Sequence, residues 1–497
     1  MDITITPSGM QALEKDYMTR FGVSSALLME HAAQGVCAAL QRRCAGGRAL
    51  FLCGTGNNGG DGYAAARLWQ AEGCRADVLE MTDQPRGDAL MNRTLALQAG
   101  VDIRLAGPDT VLPEGDVIVD ALFGTGLTRP VEGVALTLIR LARASGRPVL
   151  AVDIPSGLSG LTGEVLGEAL PAVETVTFHR IKQGLLLGKG PVYAGEITVQ
   201  PILIPADYGD QAGLRCMTPD DLRLIPPRPM DAHKGTFGRA VLLAGSPGMA
   251  GAAAFAANAC VKAGAGLTTV LCRESILPVV QTLAPAAVCI PLPERRGRLT
   301  ADAYALATDA LATADAAALG CGLGQSDDLV PLLERFARAE CPVVWDADAL
   351  NLLAGQRGLR PGRAAIVTPH PGEAARLLGC TVAEITADPL SALNRLQRQV
   401  APCVLLKGAR TLMTDGTHTA VNRFGSPAMA KGGSGDVLTG ILTALLAQRL
   451  PVTTLETIQL ATLVHGLAGI RAGRIHGEGC VTPDALIDCI RLDGDGL

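Results

Sequence analysis

The 497-residue sequence contains no Cys-X-X-Cys pair, no block of basic residues, no low-complexity tail and no run of about 18 strongly apolar residues. Each absence removes a class of protein. The 14 cysteines lie mostly inside apolar runs such as Phe51-Leu52-Cys53, Val288-Cys289-Ile290 and Pro402-Cys403-Val404, which fits reduced core thiols and neither a disulfide framework nor a zinc site. A net charge of −5 without a basic cluster offers no surface to nucleic acid or an anionic membrane, so the expected partner is a small molecule. The opening Met1-Asp2-Ile3-Thr4-Ile5-Thr6 has no basic segment followed by an apolar one, and the expectation is a soluble, cytoplasmic protein.

What is present is a chain 48% hydrophobic and 18% charged, long enough for more than one core, because single cores stop growing near about 250 to 300 residues. The 59 glycines cluster at the ends of short β-branched or Leu-rich runs that are followed by Ala/Leu-rich helical patterns. This is the pattern of parallel sheets covered by helices, an α/β fold. Strands are expected at Ala49 to Cys53, Val117 to Leu122 and Val149 to Asp153, then at Ala240 to Ala244, Val343 to Asp346, Ala365 to Thr368 and Cys403 to Lys407. Between the halves, Cys216 to Met230 carries Ile225-Pro226-Pro227-Arg228-Pro229, where proline removes amide donors. The expected division is a domain over 1–215, a linker over 216–230 and a domain over 231–497.

Gly54-Thr55-Gly56-Asn57-Asn58-Gly59-Gly60-Asp61-Gly62 follows a strand and opens the helix expected from Tyr63 to Gln70, where free amides and the helix dipole favour a ligand. A tight strand-to-helix turn accounts for that loop equally well. Two further strand ends, Asp120 with Gly124-Thr125-Gly126-Leu127 and Asp153-Ile154-Pro155-Ser156-Gly157, place Asn58, Asp120, Asp153 and Ser156 at the carboxyl edge of one sheet. An oxygen-rich set without His or Cys suits a hard cation or a polar ligand. For each aspartate alone, helix capping or turn formation is the competing explanation.

In the second half, Lys431-Gly432-Gly433-Ser434-Gly435-Asp436 resembles a phosphate loop that closes on an acid. Successive amides at a helix start bind the charge of a transferring phosphoryl group, and Asp436 can take the proton of the attacking hydroxyl. The competing role is helix capping. Lys407-Gly408-Ala409-Arg410-Thr411 suits nucleotide phosphates. Thr368-Pro369-His370-Pro371-Gly372-Glu373 exposes a histidine, and Asp346-Ala347-Asp348 supplies acids fit for Mg2+ or its waters.

The first-half motifs resemble the NAD(P)H-hydrate epimerase domain over most of residues 1 to about 205. The second-half motifs resemble the ribokinase-like fold, within it the NAD(P)H-hydrate dehydratases, over about 220 to 490; His233-Lys234-Gly235-Thr236-Phe237-Gly238 and Gly320-Cys321-Gly322-Leu323-Gly324 belong to that match. The resemblance implies a Rossmann-like three-layer sandwich followed by a ribokinase-like α/β domain. It assigns epimerase substrate contacts to Asn57, Asn58, Gly59, Gly60, Asp61, to Gly124, Thr125, Gly126, Leu127, Thr128, Arg129, Pro130, and to Asp153, the expected acid/base. It assigns K+ ligation to Asn58, Asp120 and Ser156, and dehydratase substrate contacts to Ala252, Gly322, His370 and the catalytic Asp436. Nucleotide contacts fall on Lys407, Gly408, Ala409, Arg410, Thr411 and Gly435, with ADP and Mg2+ implied.

The activity implied is repair of hydrated NADH and NADPH: interconversion of the R and S hydrates, an isomerase step, then ADP-dependent dehydration of the S form to NADH or NADPH with release of AMP and phosphate, a lyase step. A homo-oligomer is expected. Two rivals stand beside it: a kinase for a vitamin precursor with an accessory front domain, and a non-catalytic nucleotide sensor.

Overall fold

The computed structural model describes residues 1–209, 212–356 and 358–493, and the chain divides into two compact units, Ile3–Leu214 and Arg215–Leu497 with Met1–Asp2. In the first unit seven parallel strands run in the order Asp102–Leu105, Arg75–Glu80, Arg48–Cys53, Val117–Ala121, Val149–Val152, Glu174–Phe178 and Glu196–Gln200. Strands are added outward in both directions from Arg48–Cys53, so the order reverses between it and Val117–Ala121. At such a reversal the following loops diverge and leave a crevice at the carboxyl ends.

Strand alternation builds three layers. Ala49, Phe51 and Cys53 pack on one face with Val36, Leu40 and Tyr63 from helices Ser25–Cys44 and Asn57–Ala71. Leu50 and Leu52 pack on the other with Leu138 and Ile139 from helix Gly133–Ala144. Burial on both faces explains why these strands read as unbroken apolar runs.

The second unit centres on parallel strands in the order Cys403–Leu406, Ala365–Val367, Val343–Trp345, Ala316–Leu319, Arg239–Leu243, Leu267–Arg273 and Val288–Leu292. Its reversal lies between Arg239–Leu243 and Ala316–Leu319. Antiparallel strands Leu412–Thr414 and Thr419–Val421 extend the sheet. Helix Ser434–Ala447 is buried from Val437 through Ala447, packed in one core with residues of helices Ala250–Lys262 and Thr454–His476. A helix apolar on all sides is a core element, and its one polar end carries the acid loop.

The stretch expected as a linker, 216–230, is partly built into the second unit. Arg215–Cys216 pairs with Thr419–Val421, Met217 and Leu222 join its core, and Asp221 accepts from the Met1 ammonium at 2.9 Å. Among the described residues no helix is long and apolar enough to cross a membrane, and every cysteine is unpaired.

Phe51 is fully buried in the central strand of the first unit. Phe51→Ala is expected to destabilise that unit by about 3–5 kcal/mol, read as a lowered midpoint in urea unfolding followed by circular dichroism; a loss below about 1 kcal/mol contradicts this packing.

Candidate active sites

In the first unit the expected site residues sit at the sheet's reversal. The residues read as a glycine loop are in fact helical: the helix runs Asn57–Ala71, with Gly56 as its N-cap and no side-chain cap, so Asn57 to Asp61 form its first turns. Gly54 is required by packing, because a Cβ there would stand 1.8 Å from the Leu122 carbonyl oxygen. The turn explanation therefore accounts for Gly54. Gly56 by contrast has open space around it and leaves room for a ligand at the helix start.

Asp120 is fully buried and accepts from the Ser156 amide at 2.7 Å, the Ser156 hydroxyl at 2.6 Å and the Leu122 amide at 3.3 Å. Burial pushes its carboxyl up to about 6, against the three hydrogen bonds that favour the charged form. The Ser156 hydroxyl also accepts from the Phe123 amide at 2.9 Å. Asn58 meets this group across Gly124, whose Cβ would lie 3.0 Å from the Asn58 Oδ1, and the Asn58 Nδ2 is buried without a partner. A buried amide nitrogen without a partner fits a cation-binding oxygen once the amide is turned over.

Asp153 is not a cap. It follows strand Val149–Val152 with φ +65°, a left-handed backbone uncommon for a residue with a side chain. Its Oδ1 takes a salt bridge from the Lys182 ammonium at 2.7 Å and a hydrogen bond from the Thr177 hydroxyl at 3.1 Å. Asp61 and Glu14 are both pushed up, first by burial, with the Asp153 charge adding and Lys182 opposing. Lys182, Thr177 and Glu14 were not legible as site residues. The only hint was a lysine set among the apolar residues of 174–187. Gly124, Thr125, Gly126, Leu127, Thr128, Arg129 and Pro130 form the segment between strand Val117–Ala121 and helix Gly133–Ala144.

In the second unit, helix Ser434–Ala447 is capped by Gly433 at φ +96°, a conformation that favours glycine, with no side-chain cap. Asp436 therefore stands in the first turn without capping it, which removes the competing explanation. Burial, the first cause, pushes its carboxyl up to about 6. Cys321 lies beside Asp436 and its thiol is pushed up by burial and by that carboxylate. The next residue, Gly322, touches Ala252: a Cβ at Gly322 would be 2.8 Å from the Ala252 Cβ. Ala252, Gly322 and Asp436 thus meet at the reversal of the second sheet.

The nucleotide candidates adjoin them. A Cβ at Gly435 would sit 3.6 Å from the Lys407 Nζ. Lys407 bridges Asp346 at 2.6 Å and Glu373 at 3.8 Å, and Glu373 reaches His370, accepting from its amide at 2.8 Å. His370 caps helix Pro371–Leu378, its Nδ1 accepting from the Gly372 amide at 3.0 Å, while half its side chain stays exposed. The histidine thus has a structural role as a cap, and burial with Lys407 and Arg376 holds its imidazole below the usual range. Gly408 and Ala409 are exposed, and the Thr411 hydroxyl donates to the Gly408 carbonyl at 3.4 Å. Arg410 is half-buried with Cys216 and Arg423 as its electrostatic neighbours.

Asp346, read as an acid open to Mg2+, is buried, with Oδ1 on Lys407 and Oδ2 on the Thr439 hydroxyl at 2.7 Å. Burial works against this charge, yet the ammonium and the hydroxyls hold its carboxyl below the usual range. Asp348 accepts from the Gly324 amide at 2.9 Å. His465, held neutral by burial at about 4, bonds through Nε2 to the Ser434 carbonyl at 3.0 Å and pins the loop from behind. A cavity of about 1150 Å3 lined by Asp315, Cys341 and Arg449 lies at the amino ends of these strands and contains none of these residues.

Lys407→Met would leave Asp346 buried without its cation, an expected loss of about 3–5 kcal/mol at pH 7. The loss should shrink as pH falls and Asp346 takes a proton. Urea unfolding at pH 7 and pH 4 checks it, and a loss below about 1 kcal/mol at pH 7 would show the pair to be energetically idle.

Residues 240–492 match the family model described as NAD(P)H-hydrate dehydratase, and residues 25–184 that described as the YjeF-related protein N-terminus. The chain is 36% identical over 479 residues to the bifunctional NAD(P)H-hydrate repair enzyme Nnr of Vibrio cholerae, covering 95% of this chain and 94% of that one. It is 38% identical over 442 residues to the Escherichia coli enzyme of the same name, covering 88% and 83%. Among solved structures, a ribokinase-like superfamily protein from Enterococcus faecalis is similar at 28% identity and a TM-score of 0.50, over 56% of this chain and 94% of that chain.

Proposed function

The chain belongs to the bifunctional NAD(P)H-hydrate repair enzymes, and from that premise we propose that it restores hydrated NADH and NADPH, its first unit interconverting the hydrate epimers and its second dehydrating the S form with ADP. The observation that carries the reading is Asp436: an acid in the first turn of an amide-rich helix start, not used as a cap, adjoining Lys407 and Gly322.

In the second unit the chemistry follows from a poor leaving group. Hydroxide does not leave a ring carbon readily, whereas phosphate does. The amides around Gly432 to Gly435 hold the terminal phosphoryl group of ADP, with Lys407 beside them. Both oxygens of Asp346 are engaged, so Mg2+ would be held chiefly by the nucleotide's own phosphates and would supply positive charge to the transferring phosphoryl group. Asp436 takes the C6 hydroxyl proton as that oxygen bonds to phosphorus and AMP leaves. The nicotinamide ring nitrogen then expels phosphate, the C5 proton departs, and the C5–C6 double bond is restored. Ala252, Gly322 and His370 surround the hydrated ring, and Lys407 to Thr411 with Gly435 receive the nucleotide.

In the first unit Asp153 removes the C6 hydroxyl proton. The C6–N1 bond opens to an aldehyde with the electron pair on N1, which takes up a proton, and reclosure on the opposite face inverts the centre. Asn57 to Asp61 and Gly124 to Pro130 frame the substrate. Asn58, Asp120 and Ser156 would hold K+, which supplies positive charge beside a carboxylate that burial disfavours. Reduced cysteines throughout support a cytoplasmic setting.

Asp436→Ala should abolish dehydration and leave epimerisation. Asp153→Ala should consume only the S epimer, about half of a mixed hydrate pool. The assay follows return of the reduced nicotinamide absorbance with ADP and Mg2+; a folded variant that loses both activities would overturn this division, and release of a stable phosphorylated alcohol would favour the kinase. Because the base must be ionised, wild-type dehydration should fall as pH drops through about 6.

Asp120 provides an independent check. Its raised value means that ionised Asp120 weighs against folding above about pH 6, by an amount on the order of 3 kcal/mol at neutral pH, and this cost is relieved as pH falls through that value. K+ should therefore raise the melting temperature at pH 7.5 more than a bulky organic cation does, and the gain should vanish near pH 5. An equal gain at both pH values would place the ion elsewhere.

A further inference from the structure

Asp153 reaches past its strand because its backbone turns left-handed, fixed by its own amide donating to the Val176 carbonyl at 2.8 Å and the Ile154 amide donating to the Val152 carbonyl at 2.8 Å. A conformation that costs of order 1 kcal/mol or more persists where the surroundings over-determine it. The surroundings here are Thr177 and Lys182, which both donate to Oδ1. Lys182 is 1% exposed, and a second hydrogen bond from its ammonium goes to the Phe178 carbonyl at 2.7 Å. Among the described residues no donor is bonded to Oδ2, while a tenth of the Asp153 side chain remains exposed.

We infer that Lys182 is the positioning residue of the epimerising site: it takes up Oδ1 and sets a positive charge beside Asp153, so that the single oxygen Oδ2 collects and returns the hydroxyl proton on both faces of the opened ring. The inference rests on the assignment of Asp153 as the acid/base. No second base is needed, because ring opening leaves a planar aldehyde whose rotation, and not a change of base, exposes the other face. The proton removed from the hydroxyl is returned to the same oxygen after reclosure. The proton that N1 gains on opening it loses on closing.

The charges around the pair explain why a lysine is needed. Glu14 from helix Pro7–Phe21 and Asp61 from helix Asn57–Ala71 also face it, so three carboxyl groups share one ammonium. Of the other cationic candidates, His179 is held neutral by burial at about 4, and the Arg180 guanidinium donates to the carbonyls of Ala206 and Tyr208. With Lys182 gone, Oδ1 would lose its charged donor and three carboxyl groups would face one another with no cation between them.

The test uses the full chain with Lys182→Met, Lys182→Arg, Thr177→Val and Asp153→Asn, measuring initial epimerisation of the R hydrate from pH 5.5 to 9, with dehydration of the S hydrate as the internal control for folding. Lys182→Met should lower kcat by about a hundredfold with KM within about threefold, and move the acid limb of the rate profile upward by about one unit or more. Lys182→Arg, which keeps the charge, should retain the native acid limb with a smaller loss, and Thr177→Val should lose severalfold. If Asp153→Asn is inactive but Lys182→Met keeps the native kcat and pH profile, the inference on Lys182 is overturned while the assignment of Asp153 stands. If Asp153→Asn epimerises normally, that assignment itself falls. Should Lys182→Met not fold, Lys182→Arg decides: a native acid limb supports the inference, and a limb displaced upward overturns it.

Discussion

A buried lysine paired with an aspartate at a strand end stands at the centre of each unit. Lys182 meets Asp153 at 2.7 Å and Lys407 meets Asp346 at 2.6 Å; Lys182 and Asp346 are at most 2% exposed, Asp153 is a tenth exposed and Lys407 a fifth. A buried ion pair adds little net stability, but removing one partner strands a charge in a medium that cannot solvate it. Each pair therefore locks local geometry. In the first unit the paired aspartate is itself the proposed acid/base. In the second, the pair fixes Lys407 beside the Gly432 to Gly435 loop, and the proposed reactive acid is a different residue, Asp436, whose carboxyl burial pushes up to about 6.

Sheet topology decides where these pairs stand. Each central sheet reverses its winding between two neighbouring strands, and at that reversal the connecting segments part. Asn58, Asp120 and Gly124 collect at one reversal; Ala252, Gly322 and Asp436 collect at the other. Helix starts at Asn57 and Ser434 direct unsatisfied amides to the same places, one beside the oxygen-rich cluster proposed to hold K+ and the other where phosphoryl charge is proposed to bind. Hydrated cofactor repair requires this combination, since one step moves a proton at the C6 hydroxyl and the other converts that hydroxyl into a leaving group.

Much of this was legible in the residues. Apolar runs ending in Gly or Asp marked the central strands, and the motif order marked the two units. The strands read as ending on Asp153, Asp346, Thr368 and Lys407 in fact stop one residue earlier, at Val152, Trp345, Val367 and Leu406. The amides of Asp153, Asp346 and Thr368 still donate to the carbonyls of Val176, Leu319 and Trp345 on the adjoining strands. Asn57 to Asp61 read as a loop because glycine is a poor helix former, yet tertiary packing outweighs that propensity. Lys182 and Thr177 were missed because their partner lies about two dozen residues away across parallel strands, a contact that period and spacing do not encode. Asp346 was read as a metal acid for the same reason: only the fold brings Lys407 and Thr439 to it.

The central claim is that the C6 hydroxyl is phosphorylated before it leaves, with Asp436 taking its proton. The most direct measurement follows the oxygen. With 18O placed in the C6 hydroxyl of the S hydrate and unlabelled ADP, the phosphate released during dehydration should carry the label, detected as an isotope shift in its phosphorus resonance, and the water none. Unlabelled phosphate accompanying restored NADH would mean that hydroxide leaves without passing through the phosphoryl group, and the account of Asp436 would be wrong.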